Sequence, residues 1–178
     1  MKVAHLRFPS IRARLIVALA PLTVSIFASR AAPAQQYLLG ASGEIGSGIE
    51  GGGSGQTMME LAPVRLRIAA DLRVDEFPAD IYAVGMLIDL VPRSAFGFDL
   101  RYARRLGSKF ELNAGGIAYI APQSLFGPSA GFKYRMALSP SAELTVGPEA
   151  NVFVIGGDLP SGTILWQAFV QAGIHVDL

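Results

Sequence analysis

Apolar and polar residues alternate strictly along residues 64–74, and this pattern constrains the fold more than any other feature of the chain. Every even position from Val64 to Val74 is apolar, whereas the odd positions carry the charged residues Arg65, Arg67, Asp71 and Arg73. A period of two places successive side chains on opposite faces of a β-strand. The segment therefore predicts a strand with one apolar face and one charged face.

Seven further segments show the same alternation, more weakly in the first two. They are residues 37–45, 80–91, 96–105, 109–120, 130–138, 143–154 and 164–178. Glycine, proline and serine between them supply the backbone conformations that turns require, which predicts loops at residues 46–57 and 122–128. Helical periodicity is absent from the sequence after residue 34. The pattern predicts an all-β fold of eight antiparallel strands, with a bulge beside Gly147 to accommodate Pro148 inside a strand.

The first 34 residues have the composition of a cleavable export signal. A basic leader is followed by an apolar run from Leu15 to Phe27 and by the small-residue sequence Ala32-Pro33-Ala34. This order is typical of secretory signals, and the apolar run is shorter than the roughly 20 residues of a membrane-spanning helix. We therefore predict a signal peptide at residues 1–34 and a single domain at residues 35–178.

Without the signal, the chain is acidic. Five of the 15 lysines and arginines lie in residues 1–34, which leaves ten basic residues against 14 acidic ones and a net charge of −4. This balance gives no indication of a nucleic-acid partner. The chain has no cysteine, so disulfides and thiolate metal sites are excluded. Gly51–Gly53 lack the following lysine and hydroxyl residue of a phosphate-binding loop, and the sequence indicates no cofactor or metal.

Which strand face lies inside decides between a membrane barrel and a soluble barrel. The predicted strands reach the roughly 9–11 residues that a tilted membrane crossing needs, and aromatic residues gather near their ends, as in the interfacial girdles of transmembrane barrels. Charges of both signs share the polar rows, which suits pairing inside a narrow lumen. The predicted lumenal network comprises Arg65, Arg67, Asp71, Arg73, Asp99, Arg101, Glu111, Lys133, Arg135, Glu143 and Glu149.

The last eight residues support a membrane barrel. Gln171, Gly173, Val176 and Leu178 form a pattern that resembles the C-terminal signature of bacterial outer-membrane β-barrels, although that family usually ends in an aromatic residue. Residues 35–178 resemble small eight-stranded barrels of the OmpA, OmpW and OmpX kind along nearly their whole length. The resemblance implies an up-and-down transmembrane barrel in the bacterial outer membrane. It also implies a monomer that contacts membrane lipid and engages the barrel-assembly machinery through its last strand.

Three kinds of function remain open at this point. A lipid A-modifying enzyme of the Ser-His type is disfavoured, because His175 is the one histidine after the signal and no His-x-Ser sequence occurs. A wide pore is disfavoured because an eight-stranded barrel has little interior space beyond its side chains. A soluble lipocalin-like barrel would instead line an apolar cavity with Phe98, Phe132 and Trp166. We expect a non-enzymatic envelope protein with a structural, adhesive or narrow-transport role.

Overall fold

The computed structural model describes residues 37–53, 58–91, 93–157, 159 and 163–178. Every described residue belongs to one compact unit, Pro33–Leu178. The predicted signal peptide at residues 1–34 lies outside the described residues. Within the described part of the chain, no helix is long and apolar enough to cross a membrane.

The described residues form ten strands. They are β1 (Tyr37–Gly53), β2 (Met58–Leu61), β3 (Arg65–Val74), β4 (Phe77–Asp89), β5 (Ala95–Leu106), β6 (Phe110–Ala121), β7 (Leu125–Ala137), β8 (Ala142–Phe153), β9 (Ile155–Gly156) and β10 (Ile164–Asp177). Eight of them are long, and the short β2 and β9 pair with the ends of β1 and β7.

The eight long strands form a closed antiparallel barrel. Each pairs with the next long strand along the chain, in the order β1, β3, β4, β5, β6, β7, β8 and β10. The barrel closes where β1 pairs with β10, from Gly40 opposite Asp177 to Gly53 opposite Ile164. The predicted all-β, eight-stranded barrel is therefore confirmed.

The inner face is polar and the outer face is apolar. Arg67 and Arg101 on the inner face are only 2% and 5% exposed, whereas Ile68 and Leu100 on the outer face are 51% and 65% exposed. A water-soluble barrel buries its apolar row, and a barrel that spans a membrane turns that row toward lipid. The lipocalin-like alternative is excluded, because Phe98 belongs to the exposed outer wall.

The two ends of the barrel differ in the length of their connections. At the end that carries Tyr37 and Asp177, here called the terminal rim, the connections are residues 75–76, 107–109 and 138–141. Gly107 lies in the middle connection with a φ of +68°, a conformation that glycine adopts without steric cost. The opposite end, here called the loop rim, carries longer connections on average. Short turns at one end and longer loops at the other are typical of transmembrane barrels.

Two strands are longer than the sequence pattern predicted. The loop predicted at residues 46–57 is wrong for its first eight residues, because β1 continues to Gly53. Its glycines allow close approach of β10: a Cβ on Gly48 would lie 1.8 Å from the carbonyl oxygen of Ala168. Likewise β7 begins at Leu125, although residues 122–128 were predicted as a loop. Pairing with neighbouring strands overrides the low strand propensity of glycine and proline at both places.

The bulge predicted beside Pro148 is also wrong. The register of β7 against β8 is the same before and after this position, from Gly131 opposite Glu149 to Tyr134 opposite Val146. Proline has no N–H to donate, and the ladder omits the intervening pairs without inserting a residue. Pro148 keeps its place opposite Val170 of β10 on its other side.

Candidate functional site

The lumen contains every residue of the predicted network, and each contacts an opposite charge or His175. These contacts form three groups along the barrel axis: a central cluster around Glu44, a terminal cluster around His175 and a loop-rim cluster around Arg65. Alternation along each strand points these side chains inward. The lumen is therefore the candidate site, and its chemistry depends on how completely the groups satisfy one another.

Glu44 of β1 lies at the centre of the central cluster and contacts its three cations. Its carboxylate lies 3.3 Å from Arg67 Nη1 and 3.5 Å from Arg101 Nη1, and it also accepts a hydrogen bond from the Lys133 ammonium. The other two carboxylates are Asp99, 3.0 Å from Arg67 Nε, and Glu149, 2.7 Å from Arg101 Nη2. The central cluster, which comprises Glu44, Arg67, Asp99, Arg101, Lys133 and Glu149, thus matches three negative charges with three positive charges.

Gly85 of β4 provides the space for one of these pairs. It lies between β3 and β5, and a Cβ on this residue would be 2.0 Å from Asp99 Oδ1 and 2.9 Å from Arg67 Nε. Atoms cannot approach so closely, so any larger residue must displace the ion pair. The glycine at this position is therefore a packing requirement of the central cluster.

We expect Gly85→Val to weaken the barrel markedly, because the valine side chain separates Arg67 from Asp99 and leaves buried charges without partners. The measurement is the urea concentration at which the folded, heat-modifiable band disappears in detergent. Gly116→Val is the matched control, since a Cβ there has nothing within 4 Å. Equal midpoints for the two variants would contradict the proposed packing role.

The terminal cluster joins the strand ends at the terminal rim. Arg73 pairs with Asp177. Glu143 pairs with Arg135 and lies 3.5 Å from Arg105, while Glu111 lies 3.7 Å from Arg135. The residues of these contacts come from six strands, namely β3, β5, β6, β7, β8 and β10.

His175 also belongs to the terminal cluster. Its Nδ1 lies 2.9 Å from Asp71 Oδ2, and its Nε2 lies 2.9 Å from Asp177 Oδ1. Both ring nitrogens are therefore in contact with carboxylate oxygens. Neither ring nitrogen is free to activate a nucleophile.

The loop-rim cluster surrounds Arg65. Its guanidinium donates to Asp89 Oδ1 at 2.8 Å and to Gln167 Oε1 at 2.7 Å, and its carbon lies 4.0 Å from the centre of the Phe169 ring. Tyr119 donates its hydroxyl to Asp89 at 2.6 Å. Gln167 in turn donates to Glu50 at 3.0 Å, and Glu50 pairs with Arg93.

Apolar and aromatic side chains fill the lumen beside the loop-rim cluster. Leu87, Ile117, Tyr119 and Phe153 form a packed group, each at most 3% exposed. Between the central and terminal clusters lies a cavity of about 30 Å³ lined by Glu44, Arg67 and His175 among others, which is room for one or two water molecules. The lumen is therefore a filled interior.

Several lumenal residues lie outside the predicted network, although some of them stood on the polar faces of the predicted strands. Glu44 stood on a polar face but on the weakest strand pattern, and Glu50 fell in a predicted loop that proves to be strand. Tyr119, Gln167 and Asp177 stand at odd-numbered positions, as do the other inward-facing residues of their strands. The alternation could have identified them as lumenal. Among the described residues, no group of three or more acidic or histidine side chains could hold a metal ion.

Three residues of the predicted assembly signal, Gln171, Gly173 and Val176, lie on β10 at the closing seam, and Leu178 follows the end of that strand. With its amide turned to donate, Gln171 lies 3.0 Å from Glu44 and 3.1 Å from Glu149. A Cβ on Gly173 would come within 2.4 Å of the Gly43 carbonyl oxygen, so this glycine permits the seam. Val176 lies on the outer face, and Leu178 is 81% exposed while its N–H donates to Leu39. Recognition by the assembly machinery stays a prediction.

No family model and no curated protein matches the sequence. Among solved structures, Neisserial surface protein A is similar with a TM-score of 0.52 and 12% identity, over 80% of this chain and 97% of that chain. The N-terminal β-barrel domain of Pseudomonas aeruginosa OprF has a TM-score of 0.46 and 10% identity, over 75% of this chain and 96% of that one. A designed transmembrane β-barrel also gives 0.46, with 15% identity, over 79% and 95% of the two chains.

The similarity to Neisserial surface protein A covers 80% of this chain, and the strand order closes the eight long strands of this chain into a barrel. This chain therefore has the fold of a small eight-stranded outer-membrane barrel, with polar side chains inside and apolar side chains outside.

Proposed function

We propose that the protein is a non-enzymatic bacterial outer-membrane barrel with a sealed lumen, which serves as a structural or adhesive element of the envelope. The observation that carries this proposal is the filled interior. Charges pair across the central cluster, and apolar side chains pack above it at the loop rim. A solute would have to break several buried ion pairs to pass, and exposing an unpaired buried charge is costly.

The outer-membrane location is supported by the exterior and by the fold. The long strands have between 10 and 17 residues, enough to cross a bilayer when tilted, and their outer faces carry exposed apolar side chains such as Val84 and Val170. The fold likeness to Neisserial surface protein A supports the same location.

A non-enzymatic role is supported by the contacts of His175, the one histidine after the predicted signal. In an esterase-type site, a histidine nitrogen must be free to accept a proton from the nucleophile. Here both nitrogens of His175 face carboxylates. The remaining lumenal acids and bases are paired with one another, an arrangement that serves stability.

Membrane fractionation followed by planar-bilayer recording tests this proposal. We expect the native protein in the outer-membrane fraction and no resolved conductance steps from the refolded barrel, because buried ion pairs fill the central cluster and packed side chains fill the loop-rim cluster. A general porin inserted in the same bilayer is the positive control. A large and stable conductance from wild-type barrels would contradict the sealed lumen, and recovery of the protein only in soluble fractions would contradict the location.

A further inference from the structure

The outer wall carries a charged pair at one place. Within the described long strands, Asp80 of β4 and Arg104 of β5 are the charged residues on the lipid-facing side, and they stand opposite each other in register. Arg104 Nη1 lies 3.6 Å from Asp80 Oδ1, and its side chain is 59% exposed against 17% for Asp80. Most of the guanidinium is therefore open to a further partner.

An aromatic pair links these charges to an apolar groove. Tyr82 and Tyr102 lie two residues farther from the terminal rim on the same strands, with ring centres 5.5 Å apart. Tyr102 donates its hydroxyl to Asp80 at 2.9 Å. Tyrosines of transmembrane barrels gather at the level of the lipid headgroups, so the charged pair lies at that level too.

The groove runs across the wall beside the two tyrosines. It has a volume of about 660 Å³ and is lined by Leu39, Leu72, Tyr82, Val84, Leu100 and Ala114 among others. This volume falls in the range of about 300–1,000 Å³ that is typical of pockets for small ligands. An apolar groove on a lipid-facing wall, with a paired cation and anion beside it, fits a molecule that has an acyl chain and a zwitterionic headgroup.

Given the membrane location proposed above, we propose that this groove is a specific phospholipid site that selects a headgroup with a phosphate and a primary ammonium. An acyl chain lies in the groove, the phosphate binds the open edge of Arg104, and the ammonium binds Asp80. Guanidinium groups bind phosphate oxygens through two parallel hydrogen bonds. A primary ammonium donates hydrogen bonds to a carboxylate, whereas a trimethylated ammonium has no N–H to donate.

Native mass spectrometry of the folded barrel in detergent tests the selection. The protein is mixed with equal amounts of phosphatidylethanolamine, phosphatidylglycerol and phosphatidylcholine that share the same acyl chains. We expect the ethanolamine lipid to be retained about threefold more than the choline lipid, the modest preference that a partly exposed charge pair gives. Equal retention of all three lipids by the wild type would overturn the proposal.

Charge variants assign the two contacts. Arg104→Gln is expected to reduce retention of all three lipids, and Asp80→Asn is expected to shift the preference toward phosphatidylglycerol, because only the cation remains. The exchanged variant Asp80→Arg/Arg104→Asp keeps both charges and should regain the ethanolamine preference. Lys109→Gln is the control, as it removes an exposed charge from the same rim. An Asp80→Asn variant with the wild-type preference would overturn the headgroup assignment.

A substitution that fills the groove with a larger side chain tests whether an acyl chain binds there. Ala114→Phe is expected to lower retention of all three lipids, whereas Ala172→Phe, on the outer face of β10 away from the groove, should not. Equal retention by these two variants would overturn the groove as the site. Because these measurements use folded protein in detergent, the lipid site can fail while the barrel still fractionates with the outer membrane, and the two proposals are tested separately.

Discussion

Replacement of Glu44 by glutamine is expected to lower the free energy of unfolding by about 3–5 kcal/mol, the usual cost of removing one partner from a buried ion pair. Arg67, Arg101 and Lys133 all face this carboxylate. The substitution keeps the shape of the side chain but leaves the central cluster with an unmatched positive charge. The measurement is urea unfolding of the refolded barrel, followed by the shift between folded and unfolded bands on unheated gels.

Two further variants distinguish charge balance from local packing. Glu60→Gln removes an exposed carboxylate on β2 and should leave the unfolding midpoint unchanged. Glu44→Gln combined with Lys133→Gln restores neutrality, so its destabilisation should be smaller than the sum of the two single effects. Strict additivity would mean that the cluster does not act as one electrostatic unit.

The sequence predicts this fold well where alternation is strong. Segment 64–74 places charged and apolar residues on opposite faces without interruption, and segment 96–105 does so as far as Arg104. The barrel uses them as β3 and β5. The predicted first strand ended before Gly46, and the predicted strand that became β7 began only at Ala130. Glycine and proline in the missing parts have low strand propensity of their own. There the strand exists because a neighbour pairs with it, as Gly46 pairs with Gln171.

The lumenal contacts were predictable in kind but not in detail. Mixed charges on inward rows indicate pairing, yet they do not show which acid meets which base. Glu44 and Lys133 are 89 positions apart in the chain and lie on strands that do not pair with each other. Such contacts depend on the stagger and diameter of the closed barrel, which one strand's pattern does not determine. The role of Gly85 likewise appears only when Arg67 and Asp99 are placed on either side of it.

A second substitution with a large expected destabilisation lies on the outer wall of the barrel. Ile68 lies near the middle of β3 and is 51% exposed on the apolar face. We expect Ile68→Arg to cost about 2–4 kcal/mol of folding free energy in a bilayer, the penalty for a cation near the midplane, and to reduce insertion of the barrel into vesicles. Ile68→Leu is the matched control and should insert as the wild type does. Normal insertion of the arginine variant would indicate that this face does not meet lipid.

Cysteine labelling tests the same orientation without placing a charge in the membrane. Because the chain has no cysteine, single cysteines at Ile68, Leu100, Phe132 and Val170 can be probed one at a time in reconstituted barrels. These positions are between 37% and 65% exposed on the outer wall, so they should react with a lipid-soluble maleimide and resist a water-soluble one. A cysteine at Ala69, which points inward and is 5% exposed, should react poorly with both reagents. Preferential reaction of the four outer positions with the water-soluble reagent would place them in water, and an apolar wall of that size cannot remain in water without a partner. The membrane-spanning barrel would then have to be abandoned, whereas the opposite pattern fixes which face meets lipid.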